Sequence, residues 1–144
     1  IWKMNTGQYD YLINKDFYRY PGMKHVDLDT LSGQLENGTP CTASGVIQLQ
    51  DSGVEVQLPN ISHASHISIS LDHNDRYQLQ YLSGEREIAT QNISTAYLPE
   101  PGGLMRRELT VPARAVSLGY DRLRIFPLSG EAEYCLGEIR LANP

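Results

Sequence analysis

The sequence predicts an all-β protein, an antiparallel sandwich or jelly roll of eight or nine short strands, and three observations predict it. Apolar and polar side chains alternate with a period of two over most of the chain, as in Ile67, Ile69 and Leu71 against Ser68 and Ser70. Turn signals interrupt this alternation at short intervals. No stretch after Lys24 holds a helical period for more than two turns.

Taken in order, strands are expected near 25–31, 45–50, 53–59, 65–71, 75–82, 86–93, 104–111, 120–126 and 133–141. Val54, Val56 and Leu58 alternate with Glu55 and Gln57, and Tyr77, Leu79 and Tyr81 with Gln78 and Gln80. Leu123 and Ile125 alternate with Arg122 and Arg124. Each pattern describes a strand with one dry and one wet face. The breaks fall at Asp51-Ser52-Gly53, Pro59-Asn60, Asp72-His73-Asn74-Asp75, Ser83-Gly84, Pro99 to Gly103 and Ser129-Gly130. These are residues that set turn dihedrals or bond their own backbone. No repeat, low-complexity tract or linker divides the chain.

The 144 residues, 40% hydrophobic and 20% charged, suffice for one domain with one core. A net charge of -5 leaves no basic face for a phosphate backbone, so nucleic acid is not an expected partner. No run of about 18 apolar residues spans a bilayer and no signal peptide opens the chain. The first residue is Ile1 rather than Met, so the chain is expected to be a piece of something longer.

Of twelve aromatic residues, six (Trp2, Tyr9, Tyr11, Phe17, Tyr18 and Tyr20) fall within the first twenty positions. Residues 1–24 therefore read as an aromatic-rich lead-in, with one short helix over 9–20 before Pro21, and 25–144 as the sandwich. The lead-in either packs on the domain or lies beside a membrane with its rings at the interface.

Reactive chemistry is sparse. Cys41 and Cys135 lack CxxC spacing and neighbouring histidines, so no metal site is expected. They read equally as a disulfide, removing roughly 4 kcal/mol of unfolded-state freedom, or as two buried thiols. His25, His63, His66 and His73 read as solvated loop histidines, because the His63/His66 spacing straddles a loop and a strand start where side chains diverge. The turn Asp72 to Asp75 lacks the ligand pattern of an EF-hand, and hairpin chemistry explains it without calcium. No Gly-x-Ser-x-Gly elbow, phosphate loop or activated cysteine appears, and the carboxylates sit in turns or on wet faces, so no catalytic residue is assigned. Asn37-Gly-Thr, Asn60-Ile-Ser and Asn92-Ile-Ser would be glycan acceptors in a eukaryotic secreted chain and are read here as loop polarity.

The loop Ser94 to Gly103 carries Tyr97 beside two prolines. A rigid loop aromatic either stacks on a sugar ring or folds back as a plug. In an up-and-down count, loops 72–75, 94–103 and 127–132 gather at one end, with Tyr97, Asp72, Asn74, Asp75 and Glu131. Loops 32–44, 60–64, 83–85 and 112–119 gather at the other, with His63, Arg86 and Arg114.

Several stretches together resemble a galactose-binding-like jelly roll, the fold of discoidin domains and many carbohydrate-binding modules. They are Ile67-Ser-Ile-Ser-Leu71, Asp75-Arg-Tyr-Gln-Leu-Gln-Tyr81, Leu109-Thr-Val-Pro112, the run Gly119 to Gly130, and Tyr134-Cys-Leu-Gly-Glu-Ile-Arg-Leu141. An aromatic lead-in before such a domain also resembles soluble modules of bacterial multipass membrane proteins of cell-surface glycan synthesis. The Asp-Gly-x-x-x-Thr-x-Trp loop of many discoidin-like domains is replaced by Glu36 to Ser44, and the one tryptophan is Trp2. The resemblance implies a non-catalytic, extracytoplasmic module, periplasmic or at the cell surface, that binds a carbohydrate or glycolipid for a parent membrane protein such as a glycosyltransferase. Tyr97 would stack, with Asp72, Asn74 and Glu131 as polar neighbours and no cofactor. The alternatives are a structural or protein-interaction module without sugar binding and a glycan-active enzyme in its own right.

Overall fold

The computed structural model describes residues 23–31, 35–50, 52–96, 102–129 and 134–142. Its strands are β1 (Lys24–Asp27), β2 (Ile47–Leu49), β3 (Val54–Ser62), β4 (His66–Asp72), β5 (Arg76–Ser83), β6 (Arg86–Ile93), β7 (Leu104–Thr110), β8 (Tyr120–Ser129) and β9 (Tyr134–Ala142). A 3₁₀ turn at Leu28–Leu31 follows β1, and a six-residue helix α1 (Ala113–Leu118) precedes β8. Five strands form one sheet in the order β1-β3-β8-β5-β6, and four form the other in the order β2-β9-β4-β7. The predicted jelly-roll β-sandwich is the architecture observed. Among the described residues no helix is long and apolar enough to cross a membrane.

The period-two pattern explains the core directly. Ile67, Ile69 and Leu71 on one sheet and Tyr77, Leu79 and Tyr81 on the other are at most 1% exposed and join a single cluster between the sheets. Their removal from water is the main favourable contribution to folding. Tyr81 meets Tyr120 edge to face at 5.1 Å. Each phenol keeps a partner: Tyr81 Oη donates to Gln91 Oε1 at 2.8 Å and Tyr120 Oη to Ala64 O at 2.8 Å. Burial raises the pKa of both tyrosines above the ordinary value, so they stay neutral and act as hydrogen-bond donors.

Three local expectations are corrected. The strand expected over 25–31 ends at Asp27, because Leu28–Leu31 turns inward and buries Leu31 completely, with Thr30 Oγ1 donating to Asp27 O. β1 pairs with β3 in parallel, not antiparallel. The described part of the segment 32–44, residues 35–44, does not gather at the end where 60–64, 83–85 and 112–119 lie. It runs over the outer face of the four-stranded sheet, from Leu35 at Glu138 and Arg106 to the opposite end, where Gly38 N donates to Leu104 O at 2.7 Å and Leu104 N to Thr39 O at 2.9 Å. A count of alternating strand directions cannot register a segment long enough to traverse a whole face.

This strap over the four-stranded sheet is fastened by one buried carboxylate. Arg106 donates through Nη2 to Glu138 Oε1 at 2.9 Å and to Leu35 O at 3.2 Å, while its backbone N donates to Asn37 Oδ1 at 2.9 Å. Arg140 holds the second oxygen of Glu138. Glu138 is fully shielded from solvent, although Arg140 is partly exposed, so the screening comes from the two guanidiniums rather than from depth. Burial alone would raise the Glu138 pKa, but hydrogen bonds from Arg140, Arg106 and the Leu35 amide outweigh it and hold the group below the usual carboxylate range. A folded-state value below the unfolded one stabilises the protein above about pH 4.3 and ceases to as pH falls through the folded value. Wild type is thus expected to be more resistant to urea than Glu138→Gln at pH 7, with the gap closing below about pH 4. A gap that stays constant down to pH 2.5 would show that the ionised carboxylate does not fasten the strap.

Candidate functional site

The end of the sandwich that carries the Tyr97 loop is built around two residues, His73 and Arg107. Leu71 and Asp72 close β4, residues 73 and 74 turn, and β5 begins at Arg76. Asx residues on both sides of His73 favour that turn. The loop leaving β6 returns through Gly102 and Gly103 into β7, and His73 holds both of its stems. His73 O accepts from Ala96 N at 2.8 Å on the outgoing stem, and His73 N donates to Gly103 O at 3.0 Å on the returning one. His73 Nδ1 lies 3.2 Å from Gly103 O and 3.2 Å from Asp72 Oδ1, two acceptors, which places the ring proton on Nδ1. The imidazole packs so closely beneath Gly102 that a Cβ there would come within 2.3 Å of Cε1, and Gly102 has φ +82, so this stem requires glycine.

Arg107 ties these elements together from below. Strand register places it opposite Ile69, on the face that points into the sandwich, and it is 9% exposed. Its Nη1 donates to Leu71 O at 2.8 Å and Met105 O at 3.0 Å. Its Nη2 reaches Asp72 O, His73 O and Ser94 O, each at 3.2 Å. Desolvation lowers the pKa of Arg107, while Tyr77, Asp72 and Asp75 oppose that shift. An arginine keeps its proton in such surroundings, so five carbonyls, from the end of β4 and its turn, the stem leaving β6, and β7, converge on one cation.

The third element of this end is a disulfide. Cys41 and Cys135 are bonded, their Cα atoms 5.6 Å apart, joining the strap to the start of β9. Of the two readings the sequence left open, the bridge is the observed one. The Asp72 carboxylate approaches both sulfurs, all three ligand atoms lying within 4.8 Å of one another. Sulfurs bonded to each other have no thiolate to offer a metal, so this cluster is a cystine packed against a carboxylate.

Of the residues singled out from sequence, Asp72 and Asn74 are brought to this end. Asp72 is 6% exposed, which makes it a support for His73 rather than a group on the surface. Asn74 is half-buried in the turn. Tyr97 and Glu131 lie outside the described residues, as do the lead-in aromatics and the expected helix over 9–20. The described histidines stay apart. His63 Nδ1 donates to Val116 O at 2.7 Å at the far end, His66 bonds its neighbour Ser65, and His25 faces Glu55 on the five-stranded sheet.

The far end holds an open groove of about 440 Å³ along Leu58, Ile61, His63, Ala64 and Leu141. Among the described residues its lining holds no tyrosine, phenylalanine or tryptophan. The sequence reading missed His73 as a clamp and Arg107 as a hub. A signal for the second existed, since Leu109 must face inward and Arg107, two residues before it, shares that parity.

Fold and site together define a two-sheet jelly roll whose loop end is locked by a guanidinium, an imidazole and a cystine. No protein-family model matches the chain, and no curated protein matches it. Among solved structures, it is similar to CsCBM6-3 from Clostridium stercorarium, determined in complex with cellobiose, at 8% identity and a TM-score of 0.47, covering 86% of this chain and 99% of that one.

Proposed function

We propose that this domain is a non-catalytic accessory module that binds a carbohydrate or glycolipid headgroup at the end bearing the Tyr97 loop. The observation that carries the reading is the double clamp of His73 on Ala96 and Gly103, which fixes both stems of that loop in the folded protein. A loop held at both stems presents its side chains with less ordering cost on binding, the main advantage open to a weak, neutral ligand. Tyr97 is the stacking residue, Asn74 and Glu131 are its hydrogen-bonding neighbours, and Asp72 positions His73 from beneath. The buried cystine supports an extracytoplasmic location, because such bonds persist in oxidising compartments. A parent membrane protein of glycan synthesis, a glycosyltransferase among the candidates, fits a module of this kind.

Ligand-observed NMR against neutral oligosaccharides at millimolar concentration tests this. Wild type is expected to bind, and Tyr97→Ala to weaken binding by about tenfold or more without changing thermal stability. Absence of binding, or a Tyr97→Ala variant that binds as wild type does, would overturn the reading. One observation favours a second reading, a structural or assembly module: each described aromatic, Tyr77, Tyr81, Tyr120, Phe126 and Tyr134, is buried or half-buried. Under that reading the same titration shows no binding to any sugar.

A further inference from the structure

A two-sheet sandwich has two outer faces. The one on the four-stranded sheet carries the strap described above. On the five-stranded sheet the register sets Glu55, Arg124, Gln80 and Thr90 in one row across β3, β8, β5 and β6, with Leu82 and Phe126 in the rows on either side. Strand parity points all of these away from the core, opposite in sense to Leu79, Tyr81 and Ile125, and neither Leu82 nor Phe126 belongs to the core cluster.

Such a face should be wet, yet its centre is dry. Leu82 is 0% exposed, Gln80 4%, Phe126 6% and Arg124 6%, whereas His25 and Thr90 on the rim strands are exposed. Neighbours in the plane of a sheet leave its outward side open, so complete burial of Leu82 requires a cover. The described elements outside the strands do not supply one. The 3₁₀ turn and α1 send their buried residues, Leu31 and Ala115, into the core between the sheets.

The chain that precedes Met23 enters this sheet at its rim, because Lys24 pairs with Val54 on the edge strand β1. From β1 to β6 is four strand spacings, roughly 19 Å, and 22 residues reach several times that distance. Those residues carry six of the twelve aromatic rings of the chain. Aromatic rings suit a surface made of a leucine, a phenylalanine and a guanidinium, the last of which binds ring faces.

We propose that residues 1–22 dock across the outer face of the five-stranded sheet, their aromatic side chains covering Leu82, Phe126 and Arg124. This face is distinct from the loop end assigned to sugar, so either assignment can fail alone. It also makes the lead-in part of the domain rather than a free tether.

Two measurements on the full chain test it. With p-benzoylphenylalanine replacing Thr90 on the exposed rim, irradiation is expected to give an intramolecular cross-link to a peptide within residues 1–22, independent of protein concentration. Cross-links between two copies, cross-links confined to the sandwich, or none at all would overturn the proposal. In the second, Leu82→Glu places a charge under the cover and is expected to speed tryptic cleavage after Lys15 and Arg19 by about tenfold or more. Equal cleavage rates in variant and wild type would also overturn it, and the cross-linking result stands if Leu82→Glu does not fold.

Discussion

Replacing Arg107 with Met is expected to lower the unfolding free energy by about 3–5 kcal/mol, the largest effect of any single polar side chain among the described residues. The variant keeps the bulk of the side chain and removes the cation. Five backbone carbonyls, those of Leu71, Asp72, His73, Ser94 and Met105, then lose a donor at once. His73 O keeps the Ala96 amide, and a buried acceptor left without a partner costs about 1–3 kcal/mol. Arg107→Lys retains the charge but not the fork, so it should fall between Met and wild type. Urea unfolding with an unchanged slope checks the size of the loss. Hydrogen exchange checks its place: the amides of His73 and Ala96 should lose protection before those of Ile67 and Leu79. A loss below about 1 kcal/mol would mean that water replaces the guanidinium and that the hub is dispensable.

The second large effect is expected from the disulfide. The bridge spans 94 residues of sequence. In the chain-entropy account, closing a loop of that size removes about 4–5 kcal/mol of unfolded-state freedom. The double variant Cys41→Ala, Cys135→Ala should therefore unfold at markedly lower urea concentration than wild type. Dithiothreitol should bring wild type down to the level of the double variant and leave the double variant unchanged. Strap amides such as Gly38 should lose protection most, because the bridge anchors the strap at the loop end. A wild type indifferent to reductant, with its thiols shown to be free, would refute a structural role for the bond.

Much of the fold was legible because its strands are half-buried and therefore alternate. Ile67, Ile69 and Leu71, and Tyr77, Leu79 and Tyr81, announce both period and inward face, and each triplet lies in the core. What stayed hidden depends on where elements sit relative to one another. Nothing local distinguishes β1 as parallel to β3, since four residues with the burial pattern of Lys24–Asp27 carry little parity. The strap was invisible for a related reason. Its fastening carboxylate, Glu138, reads as a wet-face residue until Arg106 and Arg140 are brought over it from a different strand and from its own. At the loop end, Asp72 and Asn74 were found because turn chemistry is written in Asx residues. Their controller Arg107 was not, because the run Met105-Arg106-Arg107-Glu108 looks uniformly solvated. His73 escaped notice because two of its three clamping bonds are made by backbone atoms, which any residue has.

The two strands that come last among the described residues stand in the interior of the two sheets: β8 lies between β3 and β5, and β9 between β2 and β4. During synthesis from the N-terminus, β3 and β5 therefore emerge before the strand that separates them, and β2 and β4 wait in the same way. Until residues 120–142 leave the ribosome, four strand edges that end up paired are open, and neither sheet can close. β8 and β9, one in each sheet, act as keystones, so completion is abrupt and late, with a folding rate governed by distant pairings rather than by local ones. A translating ribosome paused before Tyr120 would hold an adhesive intermediate with exposed β-edges, and holdase chaperones should engage the nascent chain in that interval.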